Sequence, residues 1–248
     1  MANLIVRWHQ SLSEIEENDW EHLAGHQTNP FFQWKWLCAL EKSGSVSPQT
    51  GWQPLHLGIW RNNSPIAFAP LYLKSHSYGE FIFDQAFAQL ARDLGLNYYP
   101  KLLGMSPLSP VEGYRFFYAP GEDIKDLTMV MMNAIDHLAT ENRIISCNFL
   151  YVDERWSSLF ENSKWAKWIN QNSLWLCDSN VKNFSDYLQQ FNSNQRRNIK
   201  RERNAIKSSG LSISVNNGQS INENLMIDMY NFYEQHCARW GAWGSKYL

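Results

Sequence analysis

The chain has 248 residues, 44% of them hydrophobic and 15% aromatic, enough for a sizeable core and two compact units and too apolar for a globally disordered chain. Its 22 basic and 24 acidic residues give a formal charge of −2, so no overall field draws the molecule to nucleic acid or an anionic membrane. The opening Met1-Ala2-Asn3-Leu4-Ile5-Val6-Arg7 lacks a secretory pattern, and no apolar run reaches membrane-spanning length, so a cytoplasmic protein is expected.

In chain order, Leu4 to Trp8 reads as a strand, and Ser13-Glu14-Ile15-Glu16 as a capping box opening a helix with Leu12, Ile15, Trp20 and Leu23 on one side. Asn29-Pro30 starts a second helix that ends near Gly44. His56 to Trp60 and Ile66 to Leu73 form a hairpin across Arg61-Asn62-Asn63-Ser64-Pro65. A helix from Asp84 to Leu94 stops at Gly95, and Tyr98 to Gly113 holds a strand and a proline-rich loop. Apolar residues at helical spacing run from Ile124 to Glu141, and Ile144 to Val152 follows as a buried strand. This rhythm predicts a mixed α/β sheet with helices on its faces.

The tryptophan-bearing stretch from Asp153 to Cys177 fits either a helix or a strand. Beyond it, Asn183 caps a short helix, Ser193 a long basic one ending at Gly210, Leu211 to Val215 reads as a strand, and Asn222 to Trp240 is amphipathic. That last helix offers Leu225, Met229, Phe232 and Tyr233 to a partner. A first lobe over 1–180 and the incomplete beginning of a second over 181–248 are expected.

Three segments carry candidate chemistry. Asn194 to Lys207 has six basic residues and one acidic, net +5 against −7 for the rest of the chain. At about 100° per residue, Arg196, Lys200, Arg203 and Lys207 share a sector of about 60°. Guanidinium and ammonium groups so aligned suit a phosphorylated ligand, the plain alternative being a solvated helix face. A nucleic-acid module is a third reading, disfavoured because no aromatic residue lies between the charges.

The second segment, Pro70 to Phe81, runs from an apolar strand into Lys74, His76, Tyr78 and Glu80. Polar groups at a strand end are held by the strand while the loop leaves room for ligand; His76 is a candidate base and Glu80 a candidate to orient an amine. The alternative is an exposed loop with a satisfied histidine. In the third segment, Tyr98, Tyr99 and Lys101 can hold a sugar or nucleotide, or simply pack beside Pro100.

Other patterns carry less. His22 and His26 stand four apart without a third ligand, so no metal is expected. No Walker loop, G-x-S-x-G elbow or G-x-G-x-x-G occurs. Cys38, Cys147, Cys177 and Cys237 form no C-x-x-C pair and read as small buried hydrophobes, and the twelve tryptophans read as core.

At Asn29-Pro30-Phe31, Pro70 to Phe83, Tyr98 to Leu102, Pro107 to Gly113 and Gln195 to Gly210, the sequence resembles the FemAB-like group of GNAT-like peptidoglycan biosynthesis or recognition proteins. The stretches PLYLKSHSYGEFIFD and YYPKLLGMSP carry it most specifically. Arg196, Ile199 and Lys200 match the basic segment that opens the second lobe of Fem aminoacyltransferases, where the resemblance implies a phosphate role for Arg196.

The resemblance implies a GNAT-like fold and transfer of an acyl or aminoacyl group to an amine, with a small-molecule or lipid-linked envelope precursor as acceptor. Acyl-CoA or aminoacyl-tRNA would be the donor, so tRNA is a candidate partner, and no tightly bound cofactor is implied. Catalytic roles fall to His76 or Glu80, acceptor positioning to Lys74, Tyr78, Tyr99 and Lys101, and phosphate contacts to Arg196, Lys200 and Arg203. The alternative is a non-catalytic binder of a phosphorylated cell-wall precursor.

The sequence departs from the family pattern twice. Leu174 to Asp178 lacks the His-Trp pair of that pattern, so no base is assigned there. The pattern also runs roughly a hundred residues past Trp240-Gly241, completing a second lobe of ordinary domain size, so the second lobe here is expected to be incomplete and activity to depend on the remainder. Nothing in the sequence sets an oligomeric state.

Overall fold

The computed structural model describes residues 4–25, 29–161, 163–171, 173–241 and 247. Contacts divide the chain into one unit of 1–164 with 239–248 and another of 165–238.

The first unit is mixed α/β, built on two four-stranded sheets. In one, β1 (Leu4–His9), β3 (His56–Arg61), β4 (Ser64–Ala69) and β7 (Phe117–Tyr118) lie in that order, all antiparallel. In the other, the order is β2 (Trp52–Pro54), β5 (Tyr72–Lys74), β6 (Lys101–Gly104) and β8 (Cys147–Phe149), with β6 and β8 parallel. The apolar run expected as one hairpin strand over Ile66 to Leu73 is therefore two strands in two sheets. Its break falls at Pro70-Leu71, where proline has no N–H for a ladder and the Leu71 amide donates instead to His56 Nδ1 at 3.1 Å.

Helices α1 (Glu17–Ala24), α2 (Trp34–Lys42), α3 (Gln85–Asp93), α4 (Ile124–Glu141) and α5 (Glu154–Ser157) complete this unit. Trp20 and Leu23 of α1, Leu37 and Cys38 of α2, and Leu127, Met131 and Ile135 of α4 enter one large core with Leu57, Ile59, Phe68 and Phe117. A smaller core of Leu40, Val46, Trp52, Tyr72, Leu103 and Met105 lies beside the second sheet. In α4, Asp123 accepts from the Lys125 and Asp126 amides, and the buried positions recur at helical spacing.

Several local expectations shift. The capping box is Ser11 with Glu14, around a short 3₁₀ turn at Leu12–Glu14, and not Ser13 with Glu16. Glu14 is drawn there by His9, whose Nδ1 lies 3.0 Å from its carboxylate. The expected second helix is a 3₁₀ turn at Pro30–Phe32, capped by Asn29, followed by α2. The strand expected over Ile144 to Val152 contracts to the half-buried β8.

The second unit holds α6 (Phe184–Gln189), α7 (Ser193–Ser208) and most of α8 (Glu223–Arg239). Asn183 caps α6, and α7 is capped by Asn192, paired with Gln195, one residue before the expected Ser193. Leu211 to Val215 is not a strand: Leu211, Ile213 and Val215 are exposed, and without a neighbouring strand among the described residues their alternation has no ladder to join. Met229 and Phe232 of α8 are exposed as expected, while Leu225 and Tyr233 are half-buried. Trp168 and Trp175 stand exposed, not in a core, and Cys177 is likewise exposed, whereas Cys38 is buried and its thiol is pushed up to about 11 by that burial.

Candidate functional site

Sheet register assembles the first constellation. Trp52, Lys74 and Lys101 are direct partners across β2, β5 and β6, so their side chains share one face. Both lysines are buried. Lys74 Nζ sits 3.6 Å from the centre of the Trp52 ring and donates to the Tyr78 carbonyl at 3.1 Å. Burial drives its ammonium down to about 7, with Glu80 opposing the fall and Lys101 adding to it.

Lys101 Nζ donates to Glu80 Oε2 at 2.6 Å, Asp84 Oδ2 at 2.5 Å and Ser77 Oγ at 2.9 Å. Tyr98 OH donates to Asp84 Oδ2 at 2.8 Å, and Tyr99 OH and Ser77 Oγ are 2.8 Å apart. Burial raises the Glu80 carboxyl above the ordinary range despite Lys101 and Lys74. For Asp84 burial pulls the same way, but hydrogen bonds from Lys101, Ser77 and Tyr98 outweigh it and hold the carboxyl low. Glu80 Oε1 and Asp84 Oδ1 are buried without a hydrogen-bond partner among the described residues.

The structure thus joins Lys74, Glu80, Tyr98, Tyr99 and Lys101, which the sequence singled out, to Trp52, Ser77 and Asp84, which it did not. Asp84 was legible only as a helix start. His76 lies at the rim. Its Nδ1 accepts from the Tyr78 amide at 3.2 Å, so Nε2 carries the proton and donates to the Thr50 carbonyl at 3.0 Å. Burial and the nearby Lys74 lower its pKa, which keeps the ring neutral with its basic nitrogen already engaged. Gly51 makes that approach possible, since a Cβ there would lie 2.3 Å from His76 Nε2. The Tyr78 side chain points outward, 73% exposed.

The second constellation is the α7 surface. Ser193, Arg196, Arg197, Lys200, Arg201 and Asn204 line a shallow, open concavity along the helix. None of its four cations pairs with a carboxylate among the described residues. Arg196 donates to the Phe191 carbonyl, and Arg197 to Asn194 Oδ1 at 2.8 Å. Arg203, nominated as a phosphate contact, lies over the Phe184 ring at 4.0 Å and is not among the lining residues. Arg197 and Arg201 line it instead; their positions one and five after Arg196 put them on the other flank of the same helical face. Ile199 is half-buried and Ile206 is 45% exposed, so neither is sealed in a core as their flanking positions suggested.

His26 lies outside the described residues, and among those described no group of three histidine, cysteine or carboxylate side chains is arranged to hold a metal ion. No helix of the described residues is long and apolar enough to cross a membrane.

No curated protein matches the sequence. Among solved structures, the chain is similar to a GCN5-related N-acetyltransferase from Ralstonia eutropha JMP134, at 12% identity over 69% of this chain and 98% of that one, with a TM-score of 0.40. It is similar to the aminoglycoside N-acetyltransferase AAC(6')-Iy in complex with CoA, at 8% identity over 72% and 97% of the two chains and a TM-score of 0.41. A ribosomal-protein-alanine N-acetyltransferase from Brucella melitensis biovar Abortus 2308 is similar at 8% identity over 68% and 100%, with a TM-score of 0.37. The FemAB-like family model, described as peptidoglycan biosynthesis/recognition, matches residues 11–248, and the chain belongs to that family.

Proposed function

We propose that this protein transfers an acyl or aminoacyl group to an amine of a peptidoglycan-precursor-like acceptor in the cytoplasm. The observation that carries the reading is the α7 face of a FemAB-like family member: Arg196, Arg197, Lys200 and Arg201 around one concavity, with no carboxylate among the described residues to neutralise them. Such a face favours a multiply charged phosphate, because bidentate guanidinium bonds and lysine point charges add on one ligand. Arg196 and Lys200 bind it directly, and Arg203 supports the surface through Phe184.

The donor is acyl-CoA or an aminoacyl-tRNA, both activated esters or thioesters. Attack by a positioned amine then needs alignment and donors to the developing oxyanion more than a strong base. Of the two candidate proton acceptors, Glu80 suits the role better than His76, since burial raises its carboxyl above the ordinary range whereas the His76 ring nitrogens both serve the backbone. Lys74, Tyr99 and Lys101 would position the acceptor, with Tyr78 at the solvent side.

A second reading, a non-catalytic binder of the phosphorylated precursor, draws support from the same cluster: Glu80 is held by Lys101 at 2.6 Å and is 1% exposed. Incubating the protein with a nucleotide-linked precursor and either acetyl-CoA or charged tRNA, followed by mass spectrometry, separates the two. An acceptor gaining the donor's mass supports transfer. Retained precursor with no mass change supports the binder, and neither retention nor transfer sinks both.

A further inference from the structure

The lysine pair in the second sheet is buried beneath the protein's own loop. Lys74 and Lys101 stand directly opposite on antiparallel strands, where like charges repel, and Tyr98 and Tyr99 precede Lys101 by three and two residues. The Lys101 ammonium and both phenols make the hydrogen bonds described above to side chains of one segment, 77–84: to Ser77, Glu80 and Asp84. Among the described residues Lys74 donates only to the Tyr78 carbonyl, one acceptor for an ammonium with three donors. The cations sit on strands and the neutralising groups on a loop, so moving the loop away leaves the donors in place and removes the anions.

Two further observations mark the closed loop as an imperfect occupant. Glu80 Oε1 and Asp84 Oδ1 are buried with no donor among the described residues, although Lys74 has donors to spare. Around the loop, three bulky residues adopt left-handed backbone conformations that disfavour their side chains: Phe81 at φ 58°, Leu108 at 57° and Tyr151 at 52°. Leu108 meets the loop at Gly79, where a Cβ would lie 2.6 Å from its Cδ2, and Tyr151 OH donates to the Glu80 carbonyl at 3.1 Å.

We propose that residues 75–84 form a displaceable lid, and that Lys74, Lys101, Tyr98 and Tyr99 bind an external multivalent oxyanion of the phosphate or diphosphate class when it lifts. Glu80 and Asp84 then occupy, in the closed state, the place of that anion. The inference does not rest on acyl transfer, and its test contains no donor.

The test uses inorganic pyrophosphate as probe on the whole protein carrying Arg196→Ala and Lys200→Ala, which removes the α7 face from the measurement. Calorimetry should show binding, and hydrogen exchange should show faster exchange of the 75–84 amides when the probe is present. Glu80→Gln, which weakens the internal anion, should tighten the probe about tenfold by raising the open population. Lys74→Met should abolish binding while leaving the fold intact by circular dichroism. Absence of pyrophosphate binding, or binding unchanged in Lys74→Met, overturns the proposal; so does binding with no change in 75–84 exchange.

Discussion

Replacing Lys101 with methionine tests the buried cluster at its centre. The side chain is fully enclosed and its ammonium touches Glu80 at 2.6 Å and Asp84 at 2.5 Å. Methionine keeps most of the volume, so the packing term is small and the loss is electrostatic. Without the ammonium, Glu80 keeps no side-chain donor among the described residues, and Asp84 is left with the Tyr98 and Ser77 hydroxyls. Removing one partner of a buried ion pair costs about 3–5 kcal/mol. At about 2–4 °C per kcal/mol for a domain of this size, the melting temperature should fall by roughly 10 °C.

The pH dependence has a definite sign. Glu80 already titrates above its ordinary value, and without Lys101 it rises further, so the folded variant binds more protons than the unfolded chain and gains stability as pH falls. Urea unfolding at pH 7 and pH 5 measures both effects. The double variant Glu80→Gln/Lys101→Met should recover part of the loss, because the uncompensated carboxylate is gone. A Lys101→Met protein within about 1 kcal/mol of wild type, or a double variant no better than the single, would refute the electrostatic account.

Three other outcomes follow from the same geometry. Gly104→Ala places a Cβ 2.2 Å from the Tyr114 hydroxyl in β6, and since that tyrosine is fully buried, denaturant titration should show a loss of at least about 1–3 kcal/mol. Lys74, lowered to about 7, binds fewer protons folded than unfolded between that pH and 10.5; wild type should therefore gain stability across this window, by at most about 1.4 kcal/mol per pH unit, and Lys74→Met should lose the slope. Glu41 is held below the usual carboxylate range: burial pulls it up, but the bond to His56 at 2.9 Å and those from Ser11 and the Leu12 amide outweigh it. Its contribution is present above pH 4.5 and lost as pH falls through its folded value, so Glu41→Gln should flatten the acid limb of the stability curve.

How much of this was legible in the sequence depended on whether the deciding interaction was local. The α4 helix was readable because its buried stripe lies within the segment, and its cap, Asp123, is local as well though it was not read as one. The first capping box was misplaced because Ser11 to Glu14 and Ser13 to Glu16 share one spacing, and the choice between them is made by His9, outside the motif. The division of β4 from β5 leaves the apolar run unbroken in composition, with Pro70 as its one trace. Leu211 to Val215 has the alternation of a strand, yet a strand exists only where a neighbour supplies its hydrogen bonds.

The candidate site divides on the same principle. Lys74, Glu80 and Lys101 could be nominated from composition near strand ends, but that the two lysines face each other follows from register, and register is a property of paired strands. Their burial reverses the expected role of open contacts. On α7, periodicity put Arg196 and Lys200 on one face; Arg197 and Arg201, outside the sector of about 60°, line the same concavity, and Arg203 turns to Phe184.

The most direct measurement is equilibrium binding of a nucleotide-linked peptidoglycan precursor to wild type and to Arg196→Ala/Lys200→Ala, each at low and moderate salt. Saturable binding that weakens with salt and drops at least about tenfold in the variant is the predicted result, as expected for loss of charge-assisted bonds to phosphate. Equal affinity of the two proteins for the precursor, or no binding by either, would contradict it.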